Sequence, residues 1–484
     1  MNSQNAERNL SMVMDFYELT MSNGFFEESQ KDELVVFDVF YRSNPDNGGY
    51  SIFVGLEQII EYIENLHFSD KDIKYLREQG IFREEFLQFL ANFHFTGDIY
   101  ALPEGTVMYP NEPILTVIAP VIDAQLIETA VLLEINHQSL IATKTRRICN
   151  AAGKCAVSDF GARRAHNMDA AVYGARAAYI GGASSTATVL AGQMFGIPVS
   201  GTMAHSWVMY FEDEYTAFAK YARMYPDATV LLVDTYDVLR SGVPNAIKVA
   251  KEILEPLGKR LKGIRLDSGD LAYLSKRARK MLDEAGLCDC MIVASNSLDE
   301  FTIQSLMSQG ARIDSFGVGE RLITSKSEPV FGAVYKIAAV RKNDIFEPRI
   351  KISENVEKIT NPGFKELYRV YDKDNKAIAD LIACREELIE GGGAVEYIDP
   401  VKPWRRRFFE ECTFKPLLEP VFLQGKLVRE RKSVKEIREY VIRQFEEEIW
   451  EEEQRFVNPH VHYIDMTPAY YRMKNELLGK AKEA

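Results

Sequence analysis

The sequence predicts an α/β fold in three parts. An N-terminal α/β domain covers residues 1–150 and is completed by about 341–400, a series of strand–helix units covers 151–340, and a mostly helical extension covers 401–484. Length is the first observation behind this, since 484 residues exceed one ordinary domain and suggest two or three. The second is a change of rhythm at Lys154, after which short apolar runs alternate with helical patterns until about 341. The third is that several of these runs end in glycine, histidine, arginine or aspartate, where barrels of alternating strands and helices carry their catalytic groups.

Residues 1–30 read as helical, with Met12, Phe16 and Leu19 at core spacing. The run 34–41, rich in valine and phenylalanine, reads as a strand, and Asn44-Pro-Asp-Asn-Gly-Gly49 as a turn. Helical patterns continue to about Asn92. From Gly97 to Pro120 the breakers Pro103, Gly105, Pro110 and Pro113 divide a β-rich stretch into a meander of three short strands. A long helical pattern runs from Asp123 to about Ala152.

Strand-like runs then recur at 156–160, 199–202, 229–233, 263–266, 291–294 and 313–316. Helical patterns fill most of the gaps, such as 270–285 with Leu271, Leu274, Ala278 and Met281, and 244–257 with Ile247, Ala250, Ile253 and Leu257. Repeated units of this kind imply parallel strands with right-handed crossovers, in either a barrel or an open doubly wound sheet. No Gly-x-Gly-x-x-Gly follows the first strand, which weighs against a dinucleotide-binding sheet. After about 341 strand-like pieces such as 377–382 lead to Gly391-Gly-Gly393. Residues 433–455 read as an amphipathic helix carrying Val434, Ile437, Val441, Phe445 and Ile449, with the acidic runs 446–448 and 451–453 as its solvated face. Arg405-Arg-Arg407 beside Trp404 reads as a structural or subunit contact.

A net charge of −13 argues against general nucleic-acid binding, which needs a positive surface to displace counterions. It leaves room for small anions held by a few arginines and backbone amides in a cleft. The six cysteines form no CxxC pair, and the Cys288-Asp-Cys290 spacing is not that of a zinc site. Few cysteines, no apolar signal core near the start and no membrane-length apolar run lead to the expectation of a cytoplasmic protein with no membrane partner.

Three strand ends carry the candidate chemistry. In Gly201-Thr-Met-Ala-His205-Ser206, the glycine allows close backbone approach, Thr202 and Ser206 offer hydroxyls, and His205 suits proton transfer or nucleophilic attack on a phosphoryl group. In Gly263-Ile-Arg265-Leu-Asp267-Ser-Gly-Asp270, Arg265 suits an anion, while Asp267 suits ribose hydroxyls or a magnesium ion's water shell. Asp270 divides evenly between such a role and capping the helix that follows. Phe316-Gly317-Val-Gly319 could cradle a phosphate with backbone amides. Upstream, Phe160 could stack a flat ring while Arg163 grips a carboxylate, although Arg163 and Arg164 also suit surface salt bridges. Together the strand ends point to one site for an anionic, phosphorylated substrate.

These stretches resemble nicotinate phosphoribosyltransferases. The resemblance rests on 16–21 (Phe-Tyr-Glu-Leu-Thr-Met), 159–164 (Asp-Phe-Gly-Ala-Arg-Arg), 181–185 (Gly-Gly-Ala-Ser-Ser), 201–206, 264–270 and 316–319, in the family's order, and extends to Asn458-Pro-His460 and Tyr463. It implies an incomplete α/β barrel of the type II phosphoribosyltransferase kind, flanked by an N-terminal α/β domain and a helical C-terminal extension. It also implies formation of nicotinate mononucleotide and pyrophosphate from nicotinate and phosphoribosyl pyrophosphate, with Mg2+ as cofactor and ATP as co-substrate, in NAD salvage. By resemblance, ATP phosphorylates His205. Phe160 stacks on the pyridine ring from one side, and Tyr17 of a neighbouring subunit in a homodimer stacks from the other, so the site lies at the subunit interface. Arg163 and Arg265 would hold anionic groups, Asp267 the ribose or the metal's water shell, and Gly317 and Gly319 the 5′-phosphate, with no direct protein ligand to the metal.

Related nicotinamide enzymes place an aspartate near the position of Ser184 and Ser185, where serine hydroxyls would instead donate to a carboxylate, so the serines favour nicotinate. The alternatives are a nicotinamide enzyme or a non-catalytic metabolite sensor on the same fold. Where the family has a small hydroxyl residue after Gly319 this chain has Glu320-Arg321, so Glu320 should point away from a phosphate or be neutralised by Arg321. His460 and His462, in a cysteine-poor tail, are not expected to bind metal.

Overall fold

The computed structural model describes residues 9–355, 358–387, 389 and 396–480. The chain divides into two compact units, Met1–Leu140 with Val330–Ala484, and Ile141–Pro329.

In the first unit the strand Leu34–Phe40 pairs antiparallel on one side with Leu115–Pro120 and on the other with Val334–Lys342. Its valines and phenylalanines suit a sheet covered on both faces. Helices Leu56–Asn65, Asp70–Glu78 and Glu84–Ala91 bury Ile59, Ile60, Leu76, Phe86 and Leu90 in the core that this sheet shares. The first helix is shorter than expected, Phe16–Glu27, and it buries Leu19 but leaves Phe16 exposed. The stretch from Gly97 to Pro120 does hold three short strands, but they form no meander. Asp98–Ala101 pairs directly with Leu115–Pro120, whereas Val107–Met108 turns away to pair with Ser51–Ile52. The expected helix from Asp123 is two, Val121–Leu126 and Glu128–Ala152.

The described residues from 401 to 480 are not mostly helical. Glu419–Leu423 extends the first sheet through Asp98–Ala101, and Ile464–Met466 pairs parallel with Ala377–Cys384 in a second, six-stranded sheet. These strands are short and half polar, so their pairing comes from distant partners rather than from any local periodicity. Val434–Arg443 is helical and continues as a π-turn over Gln444–Glu448, burying all five expected apolar residues. The acidic face is solvated at Glu446, Glu447, Glu451 and Glu452, but Glu453 is buried. Arg407 pairs with Asp465 and Asp399, a structural contact as expected for that cluster. Gly391–Gly393 lie outside the described residues.

The second unit holds β1 (Ala156–Asp159), β2 (Ser185–Thr186), β3 (Val230–Leu232), β4 (Gly263–Leu266), β5 (Met291–Ser295) and β6 (Ser315–Val318). All pairings are parallel, in the order β2-β1-β6-β5-β4-β3. The segment expected as a strand at 199–202 makes one parallel bridge, Val199 to Thr186. β2 has only two residues and no apolar run, and so escapes a periodicity reading. On the helix Leu271–Glu284 the buried stripe is Leu271, Ser275, Ala278 and Leu282, with Leu274 and Met281 at its border. The expected helix 244–257 is α-helical only over Val243–Val249, and Leu257 is exposed at its end. Among the described residues no helix is long and apolar enough to cross a membrane.

Candidate active site

Because the six strands are parallel, their C-terminal ends share one edge of the sheet, and the candidate residues of this unit gather there. His205 opens the short helix His205–Tyr210, and its ring stays partly open to solvent. Its Nδ1 lies 3.1 Å from the hydroxyl of Thr235 beyond β3, and its Nε2 3.7 Å from Asp267 Oδ2 beyond β4. A carboxylate has no proton to donate, so Asp267 favours hydrogen on Nε2 and leaves the Nδ1 lone pair to accept from Thr235.

Arg265, in β4, ties four strand ends together. Nε donates to Ser295 Oγ at 2.8 Å, one terminal nitrogen to Thr202 Oγ1 at 3.0 Å, and the other to Asp267 Oδ1 at 3.0 Å. The guanidinium carbon also lies 5.5 Å from the centre of the Phe160 ring, within cation–π range. Ser295 donates its hydroxyl to Asp267 Oδ1 as well. Asp234, beyond β3, accepts the Asp267 N–H at 3.0 Å and the Ser268 hydroxyl at 2.6 Å through Oδ2, which fixes the turn after β4. That turn needs Gly269, whose φ is +78°. Asp270 caps the helix beginning at Leu271, accepting the Tyr273 N–H at 2.9 Å, which is the structural one of its two expected roles.

Phe160 follows β1 and lies against Gly317 of β6, where a Cβ would overlap its ring. The bare Cα of Gly317 therefore makes room for the aromatic ring of Phe160. Beside Phe160, Asp159 is buried and accepts from Gly161 N–H at 2.8 Å and Thr186 Oγ1 at 2.7 Å. Burial pushes its carboxyl above the ordinary range, against the pull of those two hydrogen bonds.

Ser184 and Ser185 are both held by the protein itself. Ser184 donates both its N–H and its hydroxyl to the carbonyl of Val157, and Ser185 is buried, bonded to Ser158 at 2.8 Å and to Ser200 at 2.6 Å. Both hydroxyls are thus engaged within the protein, that of Ser184 by the backbone of β1 and that of Ser185 by Ser158 of β1 and by Ser200. Arg163 and Ser206 are exposed at the rim. Gly319 precedes the short helix Glu320–Ile323, and its carbonyl accepts from Leu322 and Ile323. Glu320 is neutralised by Lys326 at 2.6 Å, which holds its carboxyl below the usual range, whereas Arg321 pairs with Asp299. Tyr17 belongs to the first unit, on the helix Phe16–Glu27, and is exposed.

Asp159, Asp234, Thr235 and Ser295 escaped the sequence reading. Asp234 and Thr235 follow the apolar run 229–233 just as Asp267 follows 263–266, so the same signal was available there.

The chain is similar to known proteins over nearly all of its length. Residues 12–136 match the nicotinate phosphoribosyltransferase N-terminal domain, 155–374 the nicotinate phosphoribosyltransferase family, and 364–474 its C-terminal domain. A nicotinate phosphoribosyltransferase of Bacillus subtilis is 44% identical over 98% of this chain and 96% of its own. The crystal structure of human nicotinic acid phosphoribosyltransferase superposes with a TM-score of 0.84 at 26% identity, covering 96% of this chain and 100% of that one. A nicotinate-nucleotide pyrophosphorylase from Pyrococcus furiosus superposes at 0.67 and 26% identity, covering 91% of this chain and 96% of its own. With three family models matched in order and a 44% identical relative aligned over 98% of it, the chain belongs to the nicotinate phosphoribosyltransferase family.

Proposed function

We propose that this protein joins nicotinate to phosphoribosyl pyrophosphate, releasing pyrophosphate and nicotinate mononucleotide, and couples the reaction to ATP hydrolysis through phosphorylation of His205. The observation that carries the coupling is the His205 environment: one ring nitrogen beside a carboxylate, the other beside a hydroxyl, at an open strand end. Nδ1 attacks the terminal phosphorus of ATP and ADP leaves. Asp267, 3.7 Å from Nε2, offsets the positive charge that the ring acquires. Water later cleaves the phosphohistidine to free phosphate.

In the transfer step the pyridine nitrogen forms a bond to the anomeric carbon as the bond to pyrophosphate breaks. Such a reaction depends on holding a flat base in line with the ribose. Phe160, braced on Gly317 and beneath Arg265, supplies the platform for the base. Thr202, Ser206, Arg163 and Gly319 would hold the anionic groups, and Arg163 and Ser206 are exposed, as that role requires. Mg2+ suits the oxygen donors here, since Asp234 Oδ1 is buried without a hydrogen-bond partner among the described residues and Asp267 stands beside it. These carboxylates would hold it through its water shell, where it offsets the charge of the leaving pyrophosphate.

The strand order supports an incomplete α/β barrel of the type II phosphoribosyltransferase kind. The order runs from the Val199 bridge through β2, β1, β6, β5 and β4 to β3, and no pairing among the described residues joins Val199 back to β3. A homodimer is part of the same reading, with Tyr17 entering the partner's site. Phe16 is 56% exposed, and Tyr17 and Met21 are each 43% exposed, an apolar face that a second subunit would cover. The enzyme would work in the cytoplasm, in NAD salvage.

The test is an assay with phosphoribosyl pyrophosphate and Mg2+, with nicotinate or nicotinamide, with and without ATP. Mononucleotide from nicotinate, stimulated by ATP, is the expected result. His205→Ala should abolish ATP hydrolysis and leave a slow, uncoupled transfer. Full coupling in that variant would overturn the phosphohistidine, and turnover of nicotinamide alone would overturn the substrate.

A further inference from the structure

Asp159 is a buried carboxylate at the site that neither the transfer step nor the phosphorylation step uses. We infer that Asp159 is a positioning residue for base binding: its carboxylate clamps the Phe160–Gly161 peptide and thereby sets the direction of the Phe160 ring. The inference rests on the reading of Phe160 as the platform for nicotinate.

Two peptide groups flank the Phe160 Cα, and each is fixed. The N–H of Phe160 donates to the Val318 carbonyl of β6 at 2.8 Å, so the chain entering Phe160 is held by the sheet. The sheet ends there. The next N–H, that of Gly161, has no strand partner and donates instead to Asp159 Oδ1 at 2.8 Å. Gly161 is buried, and a Cβ on it would collide with Ile323, so water has little access to satisfy that N–H in place of the carboxylate. With both peptides fixed, the Cα–Cβ bond of Phe160 is aimed at Gly317 and the ring comes to rest under Arg265.

The second carboxylate oxygen ties this clamp to the neighbouring strand. Thr186 Oγ1 donates to Asp159 Oδ2 at 2.7 Å while accepting from the Thr188 N–H at 3.0 Å, so the hydroxyl proton is directed at Asp159. The Ala187 N–H donates to the Asp159 carbonyl at 2.8 Å, and the Thr186 carbonyl accepts the Ser200 N–H at 3.0 Å, at the start of the loop that ends in His205. An acceptor-only side chain suits this place, since both groups that face it are donors. An asparagine could keep the Gly161 bond through its carbonyl oxygen, but its amide hydrogens would face a hydroxyl whose proton then has no acceptor.

The experiment measures KM for nicotinate and for phosphoribosyl pyrophosphate separately in Asp159→Ala, Asp159→Asn, Thr186→Val and Phe160→Ala. Asp159→Ala should raise KM for nicotinate about tenfold, equivalent to about 1.4 kcal/mol, with KM for phosphoribosyl pyrophosphate unchanged. Asp159→Asn should recover most of the loss, because it keeps the bond to Gly161. Thr186→Val should raise KM for nicotinate about threefold, as loss of one hydrogen bond would. A folded Asp159→Ala enzyme in which both KM values move together, or neither moves, overturns the inference. If Asp159→Ala does not fold, Thr186→Val decides by the same criterion. An unchanged KM for nicotinate in Phe160→Ala overturns the platform reading instead, so the two failures are distinguishable.

Discussion

Among the described residues, His205–Asp267 and His462–Asp380 are histidine–aspartate pairs of nearly equal separation and opposite character. His205 and Asp267 stand 3.7 Å apart with their side chains 41% and 29% exposed. His462 and Asp380 stand 3.4 Å apart with theirs 1% and 0% exposed. The second pair belongs to a closed network in the first unit. Asp380 accepts two bonds from Arg369, at 2.8 and 2.6 Å, and His462 stacks flat on Tyr109 with Nδ1 3.0 Å from Glu453. Tyr109 in turn donates to Glu453 at 2.7 Å. Burial opposes ionisation of Asp380, yet Arg369 and then His462 hold its carboxyl well below the ordinary range. Burial, and then the neighbouring Asp380, push the Glu112 carboxyl well above the carboxylate range against the pull of Arg369. What distinguishes the two pairs is not the residues or their spacing but whether solvent can reach the imidazole, and the proposed phosphorylation of His205 needs that access.

The largest effect expected from breaking this comparison is in the buried pair. Arg369→Ala leaves Asp380 without its two hydrogen bonds in a site that water does not reach, and should cost about 3–5 kcal/mol of stability. Thermal unfolding of the variant checks it, and a melting temperature close to that of the parent protein would show that the network relaxes. His462→Phe is the subtler cut, because a phenyl ring can keep the stack on Tyr109 while removing both N–H groups. Its cost should be about 2 kcal/mol, the scale of buried acceptors left unpaired, and it should depend on pH with a definite sign. Burial lowers the pKa of His462, but Asp380 and Glu453 more than restore it, and the net shift is upward from 6.5. A raised folded pKa means that the stabilisation is complete below the unfolded value and is lost as pH rises through the folded one. The gap between the parent protein and His462→Phe should therefore be widest below pH 6.5 and narrow on the alkaline side. Urea unfolding across that range measures it, and a gap that widened with pH would mean that the imidazole is neutral when folded.

The same comparison explains what could be read in advance. The site in the second unit was legible because each of its strands ends in chemistry: His205, Arg265 and Asp267 follow apolar runs, and parallel strands bring such ends to one edge. The buried network was not, because its members are scattered from Tyr109 to His462 and only tertiary pairing assembles them. Glu453 illustrates this, since within an acidic run it reads as solvated, yet Tyr109 and His462 enclose it. Ser184 and Ser185 illustrate the converse: their hydroxyls suggested a substrate contact, and a two-residue strand invisible to periodicity had already engaged them. The short polar strands Thr413–Pro416 and Glu419–Leu423 of the C-terminal region were missed for the same reason, as each pairs with a partner distant in sequence.

The smallest stability effect belongs to the exposed pair, and it is the sharpest test of the contrast. His205→Asn removes a ring that makes one hydrogen bond, to Thr235, and one loose ion pair, both at a solvent-open edge. Such a change should alter stability by no more than about 0.5 kcal/mol, even though ATP coupling is lost. Asp267 keeps its bonds from Arg265 and Ser295, so no buried charge is left uncompensated. The variant should thus melt with the parent protein while failing to hydrolyse ATP. A large drop in melting temperature would mean that His205 is holding the loop at 201–204 in place, and its loss of activity could then no longer be assigned to chemistry at the imidazole.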